Sequence, residues 1–277
     1  MLLDRCQPCA KSELTFFDPN LIQNSVTGSR FVEINPMTTI TPNGPIEFEI
    51  PSGGPNSYLD LEATTLYIRL DKVTNKGVAI NPVDNKIAYV NNIMNSLFSE
   101  VSFKIENRII EYNGNMFGYK AMLYNLLNYG MDIRKEVLYE QGFIIDDAGK
   151  MEANDNAGAV DRAILAAKDN QLFVGTISLD FFRQTKYLMA GFNCYLTFNY
   201  QKPTFCMFNA ASAADDDYKF IIKDARLLVR RVEVAPSVVN GHIEELKHNN
   251  ILIQYLRIFD MIFKPKSFQE EFTVLIW

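Results

Sequence analysis

Histidine is almost absent here: His242 and His248 are the only two in 277 residues, which narrows the available chemistry at once. Zinc-binding helical pairs sit four residues apart so that both rings share a face, whereas these two fall on nearly opposite sides. Cysteine is also sparse, at four. Cys6 and Cys9 make one Cys-Gln-Pro-Cys pair with no second pair to close a tetrahedral zinc shell, and no βαβ pattern surrounds it to suggest a redox site. Cys194 and Cys206 stand alone, so reduced thiols in a reducing compartment are the expectation. No metal, cofactor or catalytic residue is assigned.

Other absences exclude further classes. No 18-residue apolar run exists to span a membrane as a helix. Asp4 and Arg5 interrupt Met1-Leu2-Leu3 before any signal-peptide core can form, so synthesis for the cytosol or nucleus is expected. Acidic residues outnumber basic ones by 33 to 27, for a net charge of −6. A general nucleic-acid binder needs a basic face to displace counterions, so direct nucleic-acid binding is not expected. Neither a Gly-x-Ser-x-Gly elbow, nor a P-loop, nor a dinucleotide fingerprint occurs. No repeat of 20–50 residues points to a propeller or solenoid.

What is present is β patterning. Aromatics make up 12% of the chain, with 20 Phe and 13 Tyr, and flat rings suit pleated surfaces. Leu66, Ile68 and Leu70 alternate with Tyr67 and Arg69, and Val101, Phe103 and Ile105 alternate with Ser102, Lys104 and Glu106. Period two marks strands with one buried and one wet face. The eight strands expected are 45–50, 63–73, 100–106, 108–113, 171–179, 191–200, 218–223 and 225–234, with Asn107-Arg108 as a two-residue turn. Eight antiparallel strands in two sheets is the jelly-roll number. The fold class is therefore mainly β, an antiparallel β-sandwich of jelly-roll type. A cupin-type enzyme would need several strand histidines for its metal, and these are missing.

Period 3.6 interrupts the strands once. Met116, Tyr119, Leu123, Leu126 and Leu127 share one helical face, with Asn115 expected as the start cap and Gly130 as the stop. A shorter helix follows at about 131–141, and this helical insertion around 115–141 is expected to cover an open end of the sandwich. A short helix is expected within 91–99, a long loop with one helical turn over 146–170, a helical turn between 180 and 189, and a C-terminal helix over 237–248. The domain reading is an N-terminal arm at 1–30, with Phe31 and Ile34 opening a short edge strand, a sandwich over 31–236, and a terminal segment at 237–277.

The sequence holds three charged groupings. Glu47 and Glu49 share one face of a strand, where an exposed surface explains them better than catalysis. Asp215-Asp216-Asp217 cannot all face one cation and reads as a solvated loop tip. Arg226, Arg230 and Arg231 form a basic patch whose expected use is an intersubunit or intersheet ion pair.

In order along the chain, a series of short phrases resembles one known family. They run Asn35-Pro36-Met37, Gly44-Pro45-Ile46-Glu47-Phe48, Tyr58-Leu59-Asp60-Leu61, Asn95-Ser96-Leu97-Phe98-Ser99-Glu100-Val101 and Leu126-Leu127-Asn128-Tyr129-Gly130. Asp147-Ala148-Gly149-Lys150-Met151, Phe181-Phe182-Arg183-Gln184-Thr185-Lys186-Tyr187-Leu188 and Asp224-Ala225-Arg226-Leu227-Leu228-Val229-Arg230-Arg231 complete them. Together they look like the major capsid proteins of Polinton (Maverick) elements and adintoviruses, from about Lys11 to about Leu246. The resemblance implies a double jelly-roll capsid protein whose sandwiches trimerise into a pseudo-hexagonal capsomer in a virion. Its partners would be further copies and other capsid proteins. Such a family continues into a second jelly roll, of which 249–277 keeps fragments such as Lys266-Ser267-Phe268-Gln269-Glu270-Glu271. A truncated or frameshifted genomic copy would give this pattern. The alternatives are a single jelly-roll glycan-binding module, with the loops 74–88 and 201–217 as ligand rim, and a non-functional relic in the cytoplasm or nucleus of its host cell.

Overall fold

Alternating apolar residues become alternating buried faces. In strand β2 (Ile46–Ile50), Ile46, Phe48 and Ile50 are buried while Glu47 and Glu49 between them are only half-buried. The computed structural model describes residues 23–42, 44–74, 87–150, 156–209 and 218–248. Its other strands are β1 (Val26–Ile34), β3 (Ser57–Thr74), β4 (Ile87–Tyr89), β5 (Phe98–Ile105), β6 (Arg108–Tyr112), β7 (Gln171–Thr176), β8 (Cys194–Tyr200), β9 (Met207–Asn209) and β10 (Tyr218–Val234). One sheet has the order β1-β10-β3-β7, a second β2-β8-β5-β6, and β4 and β9 make a small two-stranded sheet.

The pairing has a simple logic. Of the eight strands in the large sheets, the first pairs with the last, the second with the seventh, the third with the sixth and the fourth with the fifth, all antiparallel. That is one long hairpin rolled into two layers, which is the jelly-roll arrangement. Both ends of the hairpin leave together, for Ala235 N–H donates to Ser25 O at 2.8 Å.

The core lies between the layers. Phe198 on β8 meets Phe98 at 4.9 Å and Phe48 edge-on at 5.9 Å between ring centroids. Ile68, Leu70, Leu227 and Val229 from the facing sheet belong to the same buried cluster. Burying each such side chain contributes roughly 1.5–3 kcal/mol, which is what holds the layers face to face.

Three strand expectations need correcting. The two closing strands at 218–223 and 225–234 are one 17-residue strand, β10. Its register slips at Lys223, between the Ile222–Leu70 and Asp224–Arg69 pairs, so a bulge makes one strand read as two. The eighth strand is instead β1, which begins at Val26 and takes residues 26–30 into the sheet. The β5–β6 turn is Glu106-Asn107, since Ile105 pairs with Arg108, and Glu106 has φ 50°.

Helices sit on the connections. These are α1 (Ile93–Ser96), α2 (Phe117–Asn128), α3 (Met131–Glu136), α4 (Ala157–Ala167), α5 (Pro203–Cys206) and α6 (Pro236–His248). Helix α4 stands where one helical turn was expected at 159–167, within the 146–170 loop, and extends it to 11 residues. Asn156 caps it by accepting the Gly158 N–H at 3.1 Å, and Arg162 ties it down with Asp146 at 2.7 Å and Tyr89 O at 3.1 Å.

A candidate subunit-contact surface

Between β6 and β7 the chain must cross from one sheet to the other, and it does so through α2 and α3. Helix α2 buries Phe117, Gly118, Ala121 and Asn125. Gly118 allows the close approach: a Cβ there would stand 3.3 Å from the Ser96 Cα of α1. Asn125 donates to Asn92 Oδ1 at 3.4 Å, and Asn95 donates to Asn92 Oδ1 at 3.0 Å and to Gln141 Oε1 at 3.3 Å. Only Phe117, at the start of the helix, sends a large apolar side chain into the core; the rest of the inner face is small or polar.

Charge fixes the helix to the sandwich. Lys120 Nζ lies 2.7 Å from Asp180 Oδ2 and 3.0 Å from Glu111 Oε1, and Glu111 is fully buried. Glu111 also accepts the backbone N–H groups of Asp180 and Phe181, each at 3.0 Å. A buried carboxylate held by a cation and two amides is fully satisfied. At the far end, Arg134 of α3 donates to Leu126 O and Tyr129 O, closing carbonyls that the end of α2 leaves open.

The expected cover is present, but its apolar stripe faces outward. Leu127 is 81% exposed, Met116 62% and Leu123 59%, with Tyr119 and Leu126 also exposed. Met131, Ile133, Val137 and Tyr139 extend the exposed apolar surface through α3 and beyond. Neither expected cap acts as one. Asn115 sits inside a 3-10 turn, Gly114–Met116, and makes no side-chain cap bond. Gly130 precedes α3 as its N-cap, with φ −70° and ψ 169°, and so starts that helix instead of stopping α2. Exposed apolar side chains gathered in this way are the kind of surface that contact sites use.

Beneath it lies a cleft of about 270 Å³, lined by Tyr124, Asn125, Tyr129, Gln141, Ser178 and Arg183 among others. The Arg183 guanidinium stacks over the Tyr124 ring at 3.1 Å, and burial pushes its pKa down. Its ion pair with Asp180 at 3.6 Å links the cleft to the Lys120 anchor.

The sequence's charged candidates serve the sheets themselves. Arg226 pairs with Glu33 on β1 at 3.1 Å and with Asp224 at 2.9 Å; Arg230 pairs with Asp60 on β3 at 3.1 Å. Arg226–Glu33 and Arg230–Asp60 are cross-strand pairs within one sheet and Arg226–Asp224 lies along β10 itself, so none of the three is the intersheet pair expected. Arg231 does reach the other layer, donating to Pro51 O, but it meets a carbonyl and not an acid. Glu49 accepts from the Tyr195 hydroxyl at 3.2 Å, and Glu47 lines a shallow groove with Met37, Lys104 and Ile109. His242 Nδ1 lies 2.8 Å from the Tyr58 hydroxyl, which docks α6 on β3. Cys194 and Cys206 are buried thiols; burial pushes Cys194 up to about 12 and Cys206 higher still, far from reactive thiolates. Cys6, Cys9, Asp215-Asp216-Asp217, the His248 side chain and residues 75–86 and 210–217 of the two expected loops lie outside the described residues, while 203–209 form α5 and β9 and not loop. Among the described residues no group of three or more His, Cys, Asp or Glu is placed to hold a metal, and no helix is long and apolar enough to cross a membrane.

A rolled hairpin with helices between its fifth and sixth strands is a jelly-roll fold, and solved structures share it. A chain in the cryo-EM structure of the Sputnik virophage matches with a TM-score of 0.58 at 9% identity, over 82% of this chain and 52% of that one. The Faustovirus major capsid protein matches with a TM-score of 0.53 at 9% identity, over 85% and 59%. At these identities the likeness is one of fold. By sequence, the chain is 25% identical over 247 residues to the uncharacterized protein F54H12.2 of Caenorhabditis elegans, covering 87% of this chain and 57% of that protein. The chain thus spans about half the length of the proteins it matches. It matches no family model.

Proposed function

We propose that this chain is a capsid-type structural protein, the first jelly roll of a double jelly-roll major capsid protein from an endogenous Polinton-like element. It works by contact, and not as an enzyme. The observation that carries this reading is the apolar face of α2 and α3, turned to solvent on a capsid-type sandwich and anchored from below by Lys120. Residues 26–236 form the body of the subunit in this reading, with β1 taking 26–30 from the expected arm, the residues before it serve as the arm, and 237–277 lead towards a second sandwich. Further copies and other capsid proteins are the partners, a trimeric capsomer the product and the virion its location.

The test is assembly. The chain, alone and extended by the coding sequence that follows it, is expected to form uniform oligomers in light scattering and ring-shaped capsomers in negative-stain images. A strictly monomeric protein in both forms would end the reading. The Polinton origin has its own check: genes for a packaging ATPase, a protein-primed polymerase and a maturation protease are expected beside this one.

A further inference from the structure

The outward residues of α2 have a spacing of their own. Met116, Tyr119, Leu123 and Leu126 follow one another at three, four and three residues, the interval by which two helices share a seam. We propose that this seam packs against the same helix of a second copy of the chain, the two copies of α2 antiparallel about a two-fold axis. The proposal rests on the contact-driven reading above and names its partner.

Three observations select a second copy. The first is charge. Lys120 is the only charged residue in α2, and its ammonium is turned inward to Asp180 and Glu111. Two copies of the seam therefore meet without like-charge repulsion, whereas a strongly charged partner finds no complement. The second is area. The five large apolar side chains exposed from Met116 to Leu127 offer on the order of 500 Å² at the seam, and Met131, Ile133, Val137 and Tyr139 beside it bring the exposed apolar surface to on the order of 900 Å², at about 100 Å² each. A stable interface buries about 800 Å² per partner. The third is rigidity. The Lys120 anchor and the Arg134 bonds to Leu126 O and Tyr129 O hold the helix in place before contact, so little order remains to be imposed on docking. A two-fold pairing uses one patch twice and closes on itself. It therefore joins subunits without needing a second complementary surface.

Single cysteines test this in the full chain carrying Cys6→Ser and Cys9→Ser; the remaining Cys194 and Cys206 are buried. Met116→Cys, Tyr119→Cys and Leu123→Cys are oxidised separately and run on non-reducing gels, with Ile109→Cys on β6, 56% exposed, as a control of comparable accessibility. The expected result is a disulfide-linked dimer at one or more seam positions, forming at least tenfold faster than in the control and lost when Leu126→Asp is added. Cross-linking no faster than the control at all three positions overturns the pairing, as does cross-linking that Leu126→Asp leaves unchanged. All these side chains are exposed, and far-UV circular dichroism verifies the fold of each variant. If Leu126→Asp itself misfolds, the comparison of seam with control still decides. Cross-linking without any capsomer would sink the capsid reading and leave this contact standing; capsomers without cross-linking would do the reverse.

Discussion

Lys120 Nζ lies 2.7 Å from Asp180 Oδ2, so one ion pair spans from the outer helix to the turn that follows β7. Fully buried Glu111 shares the same ammonium. Removing the cation by Lys120→Met leaves that carboxylate without its counter-charge. Breaking a buried pair costs about 3–5 kcal/mol, and partial solvent access to Lys120 lowers the expected loss to about 2–3 kcal/mol. Urea unfolding followed by circular dichroism measures it. A loss below about 0.5 kcal/mol, the range of ordinary surface substitutions, would show that the anchor is ornamental.

Gly142 marks a second point of no tolerance. It has φ +74°, and a Cβ there would stand 2.4 Å from Ile93 Cγ2 and 3.0 Å from Phe173 Cε1. Gly142→Ala combines left-handed strain with an overpacked core, for a loss of about 2–4 kcal/mol. The same urea titration reads it, with Gly130→Ala, which meets open space, as the control.

Alkaline pH should loosen the sandwich in a defined window. Burial pushes the Cys194 thiol from its ordinary 9.0 to about 12, and Cys206 moves in the same direction. The folded state keeps protons that the unfolded chain releases above pH 9. The stability tied to each thiol is intact below that pH and is lost as pH rises towards 12, at about 1.4 kcal/mol per unit. Tyr200, raised to about 12 by burial, adds to the slope from pH 10. Unfolding midpoints measured from pH 8 to 11 should fall, and Cys194→Ala should flatten the slope by about one proton.

The bond between Tyr58 and His242, at 2.8 Å, fastens α6 to β3. Tyr58→Phe keeps the ring packed and removes only the hydroxyl, so a loss of about 0.5–1.5 kcal/mol is expected. Hydrogen exchange should quicken over 236–248 with the sheets unaffected. Uniform acceleration across the molecule would contradict a local fastening.

The strands were legible because their alternation is physical: Ile46, Phe48 and Ile50 face the core for the reason that Glu47 and Glu49 do not. Strand β1 was harder to see, because Val26–Ile34 is an edge strand, exposed along most of its length, and has no apolar period. The bulge at Lys223 divided β10 because it breaks the alternation that marks a strand. Helix α4 was legible only as a helical turn within a loop, because small residues, Ala157, Gly158 and Ala163 among them, dilute its apolar period. Helix α2 shows the limit most clearly. Its stripe at 116, 119, 123, 126 and 127 was visible, but a stripe records only that apolar residues share a face. Here the side towards the sandwich is settled by Gly118, Ala121 and Asn125, whose small size and hydrogen bonds suit close approach. The stripe could be read from the sequence; its direction could not.

The bond from Ala235 to Ser25 has a bearing on ancestry. A module whose two termini emerge side by side can be copied in tandem within a gene, because the duplicate needs no thread passed through the original. Each unit then closes its own hydrophobic interior before meeting its twin, and a short linker is enough to set them abreast.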